Sequence, residues 1–426
     1  MFTDVYGTLA FSMLYQAYQT QTDLLLPLRM AASVGQQWFG HLGDFGDGTP
    51  AGVLSKRMSA SLEMISRAGL SHTRPSFDID EVTVAGEPIP VVEEIVTATP
   101  FATLLRFHRA SDVELPRVLI VAPLSGHFAT LLRATVRTML QDHDVYLTDW
   151  HNARDIPRRH GVFGLEDYTD HLISFLEAIG PGAHLLAVCQ PCVSALVATA
   201  VMAEAGSSCT PRSLTLMAGP IDTRVSPAAV NILATSHSIE WFRNNLITTV
   251  PMRFRGAGRR VYPGFLQVGA FVAMNPRRHL DAHWRIFDDL VEGRIAESAA
   301  RKAFYDEYFA VLDLTEEFYL ETVEAVFQEH LLPRGLMRHH GRIVDCAAIG
   351  HTALLTVEGE RDDICSVGQT MAAHELTPSI PNALRAHHLQ AGAGHYGVFS
   401  GRRWEAEVYP TVRRTIQASD RASLLR

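Results

Sequence analysis

A chain of 426 residues, 47% hydrophobic and 19% charged, carries enough apolar material for one elaborated domain or two around a sizeable core. Its formal charge of -9 excludes an affinity for nucleic acid built on Lys and Arg against phosphate. Five cysteines, Cys189, Cys192, Cys209, Cys346 and Cys365, are an odd set at irregular spacing, which fits a reducing compartment better than a disulfide framework. Nothing before Arg29 supplies the basic start of a signal peptide, so export is not expected.

Residues 1–75 repeat apolar positions at helical spacing, through Leu9, Met13, Leu14 and Tyr18, then Leu24, Leu25, Leu28, Met30, Val34, Trp38 and Phe39. A Gly- and Asp-rich loop over 41–52 precedes a second helical pattern over 54–70. These helices read as an extension packed on the main domain, or as a surface for an apolar partner. From Phe77 the period changes to two, predicting antiparallel strands over 77–84, 91–98 and 103–109. Short apolar strands then alternate with helices: strand 116–123, turn 124–127, helix 128–140, strand 145–150, helix 168–179, strand 184–189, a helix from Cys192, and strand 213–218. That rhythm predicts a parallel sheet covered on both faces. Residues 223–345 break it with helical patterns over 227–235, 239–245, 280–291 and 304–330 and with a basic loop over 253–264, and show no clear strand. Strand signals resume over 352–358 and 386–390. The apolar run 185–202 is divided at Gln190 and Pro191, so it reads as core and not as a membrane span.

The stretch 184–196 organises the rest. An apolar strand ends at Cys189, Pro191 follows, and a helix of small apolar residues begins at Cys192. This places Cys189 on a sharp turn beside the free N–H groups of a helix start, where the positive end of the macrodipole favours thiolate. The pattern has the outline of the hydrolase G-x-S-x-G elbow, with Ala187 and Pro191 for the glycines and Cys189 for serine. Taken alone, Cys189 also reads as a buried structural cysteine, or with Cys192 as a redox dithiol. Past the strand 352–358 come Asp362 and Asp363, and past 386–390 comes His395 between Gly394 and Gly397. Nucleophile, acid and base thus follow the chain order of an α/β-hydrolase. Asp362 is preferred to Asp363, and His395 has the alternative of a loop histidine bonded to backbone. The fold class is therefore α/β, an α/β-hydrolase with a mostly parallel sheet, divided into a helical extension (1–75), a first core part (76–222), a helical cap insertion (223–345) and a second core part (346–426).

Six segments carry a resemblance: Val188-Cys-Gln-Pro191, Ser125-Gly-His-Phe-Ala-Thr-Leu-Leu-Arg133, Asp142-His-Asp-Val-Tyr-Leu-Thr-Asp-Trp150, Arg259-Arg-Val-Tyr-Pro-Gly-Phe-Leu-Gln267, Phe304-Tyr-Asp-Glu-Tyr308 and Gly394-His-Tyr-Gly-Val-Phe399. Over most of its length the chain resembles the intracellular polyhydroxyalkanoate (PHB) depolymerases. That family is similar in fold to the polymer synthases and uses cysteine in place of the lipase-box serine, which implies Cys189 as nucleophile with Asp362 and His395. Ser194 departs from the proline expected in the family. The resemblance implies a cytoplasmic enzyme on polyester storage granules that splits polymer esters through an acyl-enzyme, with water or coenzyme A resolving the thioester and no metal or other cofactor. Backbone N–H groups of Gln190, Leu124 and Ser125 are expected to form the oxyanion hole. Tyr262, Phe265, Leu266, Phe271 and Met274 are expected to line the polymer entrance beside Arg259 and Arg260. A synthase-like acyltransferase and a non-catalytic granule protein are the alternatives, and the sequence sets no limit on homo-oligomerisation.

Overall fold

The computed structural model describes residues 14–46, 48–111 and 113–424; Leu9 and Met13, read as part of the first helix, lie outside them. Helix α1 (Leu14–Phe45) and helix α2 (Pro50–Arg67) pack against each other. α1 runs to Phe45 and α2 starts at Pro50, so the loop expected over 41–52 is shorter than its composition suggested. Thr49 caps α2 by accepting the Gly52 N–H (3.1 Å), and Pro50 sits in the first turn, where no N–H is missed.

Three antiparallel strands follow, β1 (Glu81–Val84), β2 (Glu87–Ala98) and β3 (Ala102–Arg109). β4 (Arg117–Val121) then leads through a 3-10 turn and α3 (Arg133–Met139) to β5 (Asp144–Trp150), which pairs antiparallel with β3 and parallel with β4. α4 (Leu165–Ile179) carries the chain back past β4 to β6 (His184–Val188), and α5 (Cys192–Glu204) to β7 (Ser213–Met217). β8 (Ala353–Gly359) and β9 (Arg385–Gln390) complete a nine-stranded sheet in the order β1-β2-β3-β5-β4-β6-β7-β8-β9, parallel from β5 to β9. Strands β6, β7 and β8 are buried along their whole length, as strands covered on both faces are, and even the polar Ser213, Thr215, Thr356 and Glu358 among them are inside. The direction of travel reverses between β4 and β6, so their C-terminal ends bound the crevice in which open α/β sheets bind ligands.

Between β7 and β8 lie α6 (Ala229–Ser236), α7 (Ile239–Leu246), α8 (Gly264–Met274), α9 (Pro276–Val291), α10 (Ile295–Tyr308) and α11 (Glu316–Thr322). The expectation of no strands here is corrected. Thr248–Thr249, Arg260–Tyr262 and Leu314–Thr315 form a small antiparallel sheet, and Arg338–His339 pairs with Arg342–Ile343 in a hairpin. Runs of two or three residues are too short to show a period of two. The predicted helix 304–330 is also broken, because α10 ends at Tyr308 and α11 passes into a π turn over Val323–Gln328. The last helix, α12 (Tyr409–Leu424), ends the fold.

The N-terminal pair is sewn to this insertion. The fully buried Tyr15 hydroxyl donates to Asp313 Oδ2 (2.6 Å), and Asp313 Oδ1 accepts the N–H of Gly264 at the start of α8 (3.0 Å). Burial pushes the Asp313 carboxyl up to about 6. Lys302 on α10 pairs with Glu63 on α2 (2.8 Å). The outer face of α1 still exposes Leu24, Leu28, Val34 and Trp38. Among the described residues no helix is long and apolar enough to cross a membrane.

Candidate active site

The turn after β6 holds Cys189 at φ +68°, a left-handed conformation that costs a non-glycine residue roughly 1–2 kcal/mol. Two backbone bonds fix it there: Cys189 N–H donates to the Met217 carbonyl (2.8 Å), and Cys192 N–H to the Cys189 carbonyl (3.1 Å). The first amide past Cys189 is then that of Gln190, at the entry to α5. Gly219 makes the turn possible, since a Cβ there would stand 2.2 Å from the Cys192 Cβ. Cys189 is half-buried, whereas Cys192 is buried with its thiol turned back to the Ala187 carbonyl (3.4 Å). Burial pushes the Cys192 thiol well up, leaving it unsuited to a reactive dithiol.

Past β8, Asp362 uses both carboxylate oxygens. Oδ1 accepts the amides of Ile364 (2.9 Å) and Cys365 (2.8 Å), and Oδ2 accepts Nδ1–H of His395 (2.8 Å). A carboxylate is an acceptor only, so this bond assigns the proton to Nδ1 and leaves Nε2 for Cys189. Gly359, the last residue of β8, lets the His395 loop close in, since a Cβ there would lie 2.7 Å from the Ala393 carbonyl. Burial by itself pushes the His395 imidazole down. The charges of Cys189 and Asp362 and hydrogen bonds to both outweigh it and hold the ring well above the usual histidine range. Asp363 points elsewhere, its Oδ2 accepting the Asn275 side-chain amide at the rim of the cleft (2.6 Å).

The cleft beside His395 has a volume of about 700 Å³. Phe271, Met274, Phe304 and Tyr308 from the insertion form its apolar wall, Tyr396 adjoins the histidine, and Arg278, Arg285 and Arg301 stand around them. Of the five residues expected to line the entrance, Phe271 and Met274 are in this lining. The other three are corrected. Tyr262 is buried and stacked on Tyr319 (3.9 Å between ring centroids), Phe265 is stacked on Tyr18 of α1 (4.0 Å), and Leu266 packs on the main core. The first turn of α8 is thus spent on holding the N-terminal pair, and only its last turn faces the cleft. Arg259 is buried as a clamp on the carbonyls of Ile156, Pro157 and Gly161 (3.0, 3.0 and 2.8 Å), and Arg260 pairs with Glu316 (3.0 Å).

Leu124 and Ser125 lie in the turn after β4, the neighbour of β6, with Leu124 buried and Ser125 half-buried. The same turn contains a residue to which the sequence assigned no role. His127 is fully buried, stacks on Phe271 (5.8 Å), lies tilted against Tyr308 (5.1 Å) and bridges to Val311, so it fastens the turn to the wall of the cleft. Burial pushes its imidazole down to about 4, against a smaller opposing effect of a backbone hydrogen bond at Tyr308. The folded ring is neutral while the unfolded one protonates from about 6.5 downward, so this stability is complete above pH 6.5 and drains away as pH falls towards 4. The full span is on the order of 3 kcal/mol. Chemical denaturation of His127→Gln at pH 7 and pH 5 is expected to show a smaller loss between the two than the natural chain; an equal loss rejects His127 as a source of acid lability.

Residues 218–420 match the family described as PHB de-polymerase C-terminus. The chain carries the C-terminal domain of the PHB depolymerase family. A PHB depolymerase is a hydrolase of carboxylic ester bonds, and the matched stretch contains Asp362 and His395, while Cys189 precedes it. No curated protein matches the chain. Among solved structures it is similar to a thermophilic esterase from Thermogutta terrifontis (15% identity, TM-score 0.42, covering 77% of this chain and 98% of that one). It is also similar to 2-hydroxy-6-oxo-6-phenylhexa-2,4-dienoate hydrolase from Rhodococcus sp. strain RHA1 (12% identity, TM-score 0.42, covering 77% and 99%). A third likeness is to DcsB in complex with its substrate analogue (14% identity, TM-score 0.45, covering 78% and 99%). Likenesses of that size say nothing of activity, and the α/β-hydrolase fold rests on the sheet order of the chain, of which the matched stretch supplies β8 and β9.

Proposed function

We propose that the chain cleaves ester bonds of amorphous poly(3-hydroxyalkanoate) storage granules through a covalent acyl-enzyme on Cys189. The observation that carries the reading is the bond from His395 Nδ1 to Asp362 Oδ2 (2.8 Å), which turns Nε2 towards a cysteine held at φ +68°. In the proposed cycle the Cys189 sulfur attacks the ester carbonyl, and His395 holds the thiol proton and then delivers it to the leaving alkoxide. Asp362 keeps the imidazole in the productive tautomer. Amide donors of Gln190 and the Leu124–Ser125 turn meet the developing oxyanion, each worth on the order of 3 kcal/mol in the transition state. Water, or coenzyme A as a thiol co-substrate, then resolves the thioester.

Two surfaces support a polymeric substrate. The cleft wall is aliphatic and aromatic, and the outer face of α1 offers apolar side chains to a surface too large to enter any cleft. The deciding experiment gives the purified enzyme amorphous granules, with and without coenzyme A, and identifies the product. Free hydroxy acid signifies hydrolysis, a coenzyme A thioester signifies thiolysis, and neither product rejects the reading. Chain growth from a hydroxyacyl-CoA instead identifies the acyltransferase. Phe271→Ala and Phe304→Ala are expected to slow granule breakdown at least tenfold while altering hydrolysis of a short soluble ester by less than threefold. Equal losses on both substrates reject the wall as a polymer contact.

A further inference from the structure

Away from the cleft, two neighbouring imidazoles and a carboxylate converge on one point. His339 Nε2 lies 3.0 Å and His340 Nε2 2.9 Å from the Asp170 carboxylate, and the three ligand atoms fall within 4.8 Å of one another. Neighbouring residues of a strand normally point to opposite faces. Here the hairpin turn intervenes, with His340 at φ +46° and Gly341 at φ +75°, and it brings the two rings to 4.3 Å. A two-residue hairpin turn with both central φ angles positive strongly prefers Asn-Gly or Gly-Gly. Histidine at the first of these positions costs backbone energy and returns only the placement of its ring.

A second observation comes from α4. Glu166, one turn before Asp170 on the same helix face, accepts the His340 backbone N–H at Oε1 (2.9 Å) and lies with Oε2 3.6 Å from His340 Nδ1. A carboxylate behind one ring nitrogen, leaving the other for a cation, is how proteins orient metal-binding histidines. With its proton on Nδ1, His340 brings an Nε2 lone pair to a carboxylate that is itself only an acceptor, and a cation at the meeting point satisfies both, as a second ring proton does in its absence. Ligand atoms around a tetrahedral zinc stand roughly 3.3 Å apart, close to the spacings found. The adjoining cavity, of about 380 Å³, adds Asp167, Glu317 and Glu321 to Glu166 against Arg338, so carboxylates outnumber cations around the point.

We propose that Asp170, His339 and His340, with Glu166 orienting His340, form a site for a divalent transition-metal ion of the zinc class. The ion ties the hairpin at the end of the insertion to α4, beside a cavity whose other wall is Val193, Ser194 and Val197 of α5, the helix that begins just past Cys189. Its role is structural, and the site stands independently of the ester chemistry. Because Cys189 and His395 are themselves able to hold zinc, the test uses the full chain in a Cys189→Ala background, stripped of metal and titrated with Zn²⁺ against a chromogenic chelator. One equivalent is expected to bind, and affinity is expected to fall at least 100-fold in Asp170→Asn and in His340→Ala, both at surface positions. Glu166→Gln should weaken binding about tenfold. Co²⁺ should give a tetrahedral visible spectrum without a sulfur charge-transfer band, and Zn²⁺ should raise Tm in the parent but not in His340→Ala. Unchanged affinity in Asp170→Asn and His340→Ala, or binding in the parent only at millimolar Zn²⁺, overturns the proposal.

Discussion

Cys189→Ala is expected to reduce ester cleavage by about 10⁴-fold or more while leaving the far-ultraviolet dichroism and melting temperature near those of the natural chain. The substitution removes the nucleophile but none of the bonds that hold the turn, since these run through the backbone to Met217 and Cys192. The small side chain of alanine also tolerates the same positive φ about as well as cysteine does. His395→Ala should fall to a similar level, because nucleophile and base act as one unit and their losses do not add. Cys192→Ala, Cys209→Ala and Cys365→Ala are expected to keep turnover, since Cys192 and Cys365 touch Cys189 and Asp362 through backbone amides that alanine retains, and burial holds both thiols well up. Turnover surviving in Cys189→Ala but lost in Cys192→Ala removes the assignment of the nucleophile.

Asp362→Asn is expected to lower turnover by about 10⁴-fold and Asp363→Asn by less than tenfold. An asparagine at 362 can present its NH₂ to His395, which forces the ring to accept at Nδ1 and carry its proton on the side facing sulfur. The imidazole then cannot serve as base. The loss should show mainly in kcat and persist across the pH range, because it reflects tautomer and not titration. Asp363→Asn exchanges one polar group for another in a side-chain contact with Asn275 at the rim of the cleft, and removes no hydrogen bond to the imidazole. Equal effects from the two variants remove the preference for Asp362.

The sheet was readable because its central strands are short, mostly apolar and buried, and a turn follows each, so pattern and packing agree from 116 to 218. The order of Cys189, Asp362 and His395 was readable for the same reason: each follows a strand end, and topology alone brings strand ends together. The insertion was less legible. Its strands are two or three residues long, and α8 is apolar on every side, so periodicity could not tell which face meets the core, which meets α1 and which lines the cleft. Tyr262 and Phe265 were drawn to the substrate by their chemistry and are held instead by Tyr319 and Tyr18, partners 57 residues downstream and 247 upstream that local pattern cannot reveal. His127 and the His339-His340 pair were overlooked because their meaning depends on burial and on a left-handed turn, neither of which a motif records. A histidine at the first position of a hairpin before glycine was the one signal available for the latter.

The separation of Cys189 from Asp362 and His395 by the long insertion also bears on the order of assembly. Cys189 belongs to the centre of the sheet, whereas His395 follows β9, the strand at the sheet's far edge. Joining the two means closing a loop of about two hundred residues, and contacts of such sequence separation form late and slowly. While the chain is being synthesised, the first strands can collapse around β4, β5 and β6 and display the thiol with no base to activate it. On the proposed chemistry, Cys189 therefore gains its base only once the strand preceding His395 has joined the far edge of the sheet.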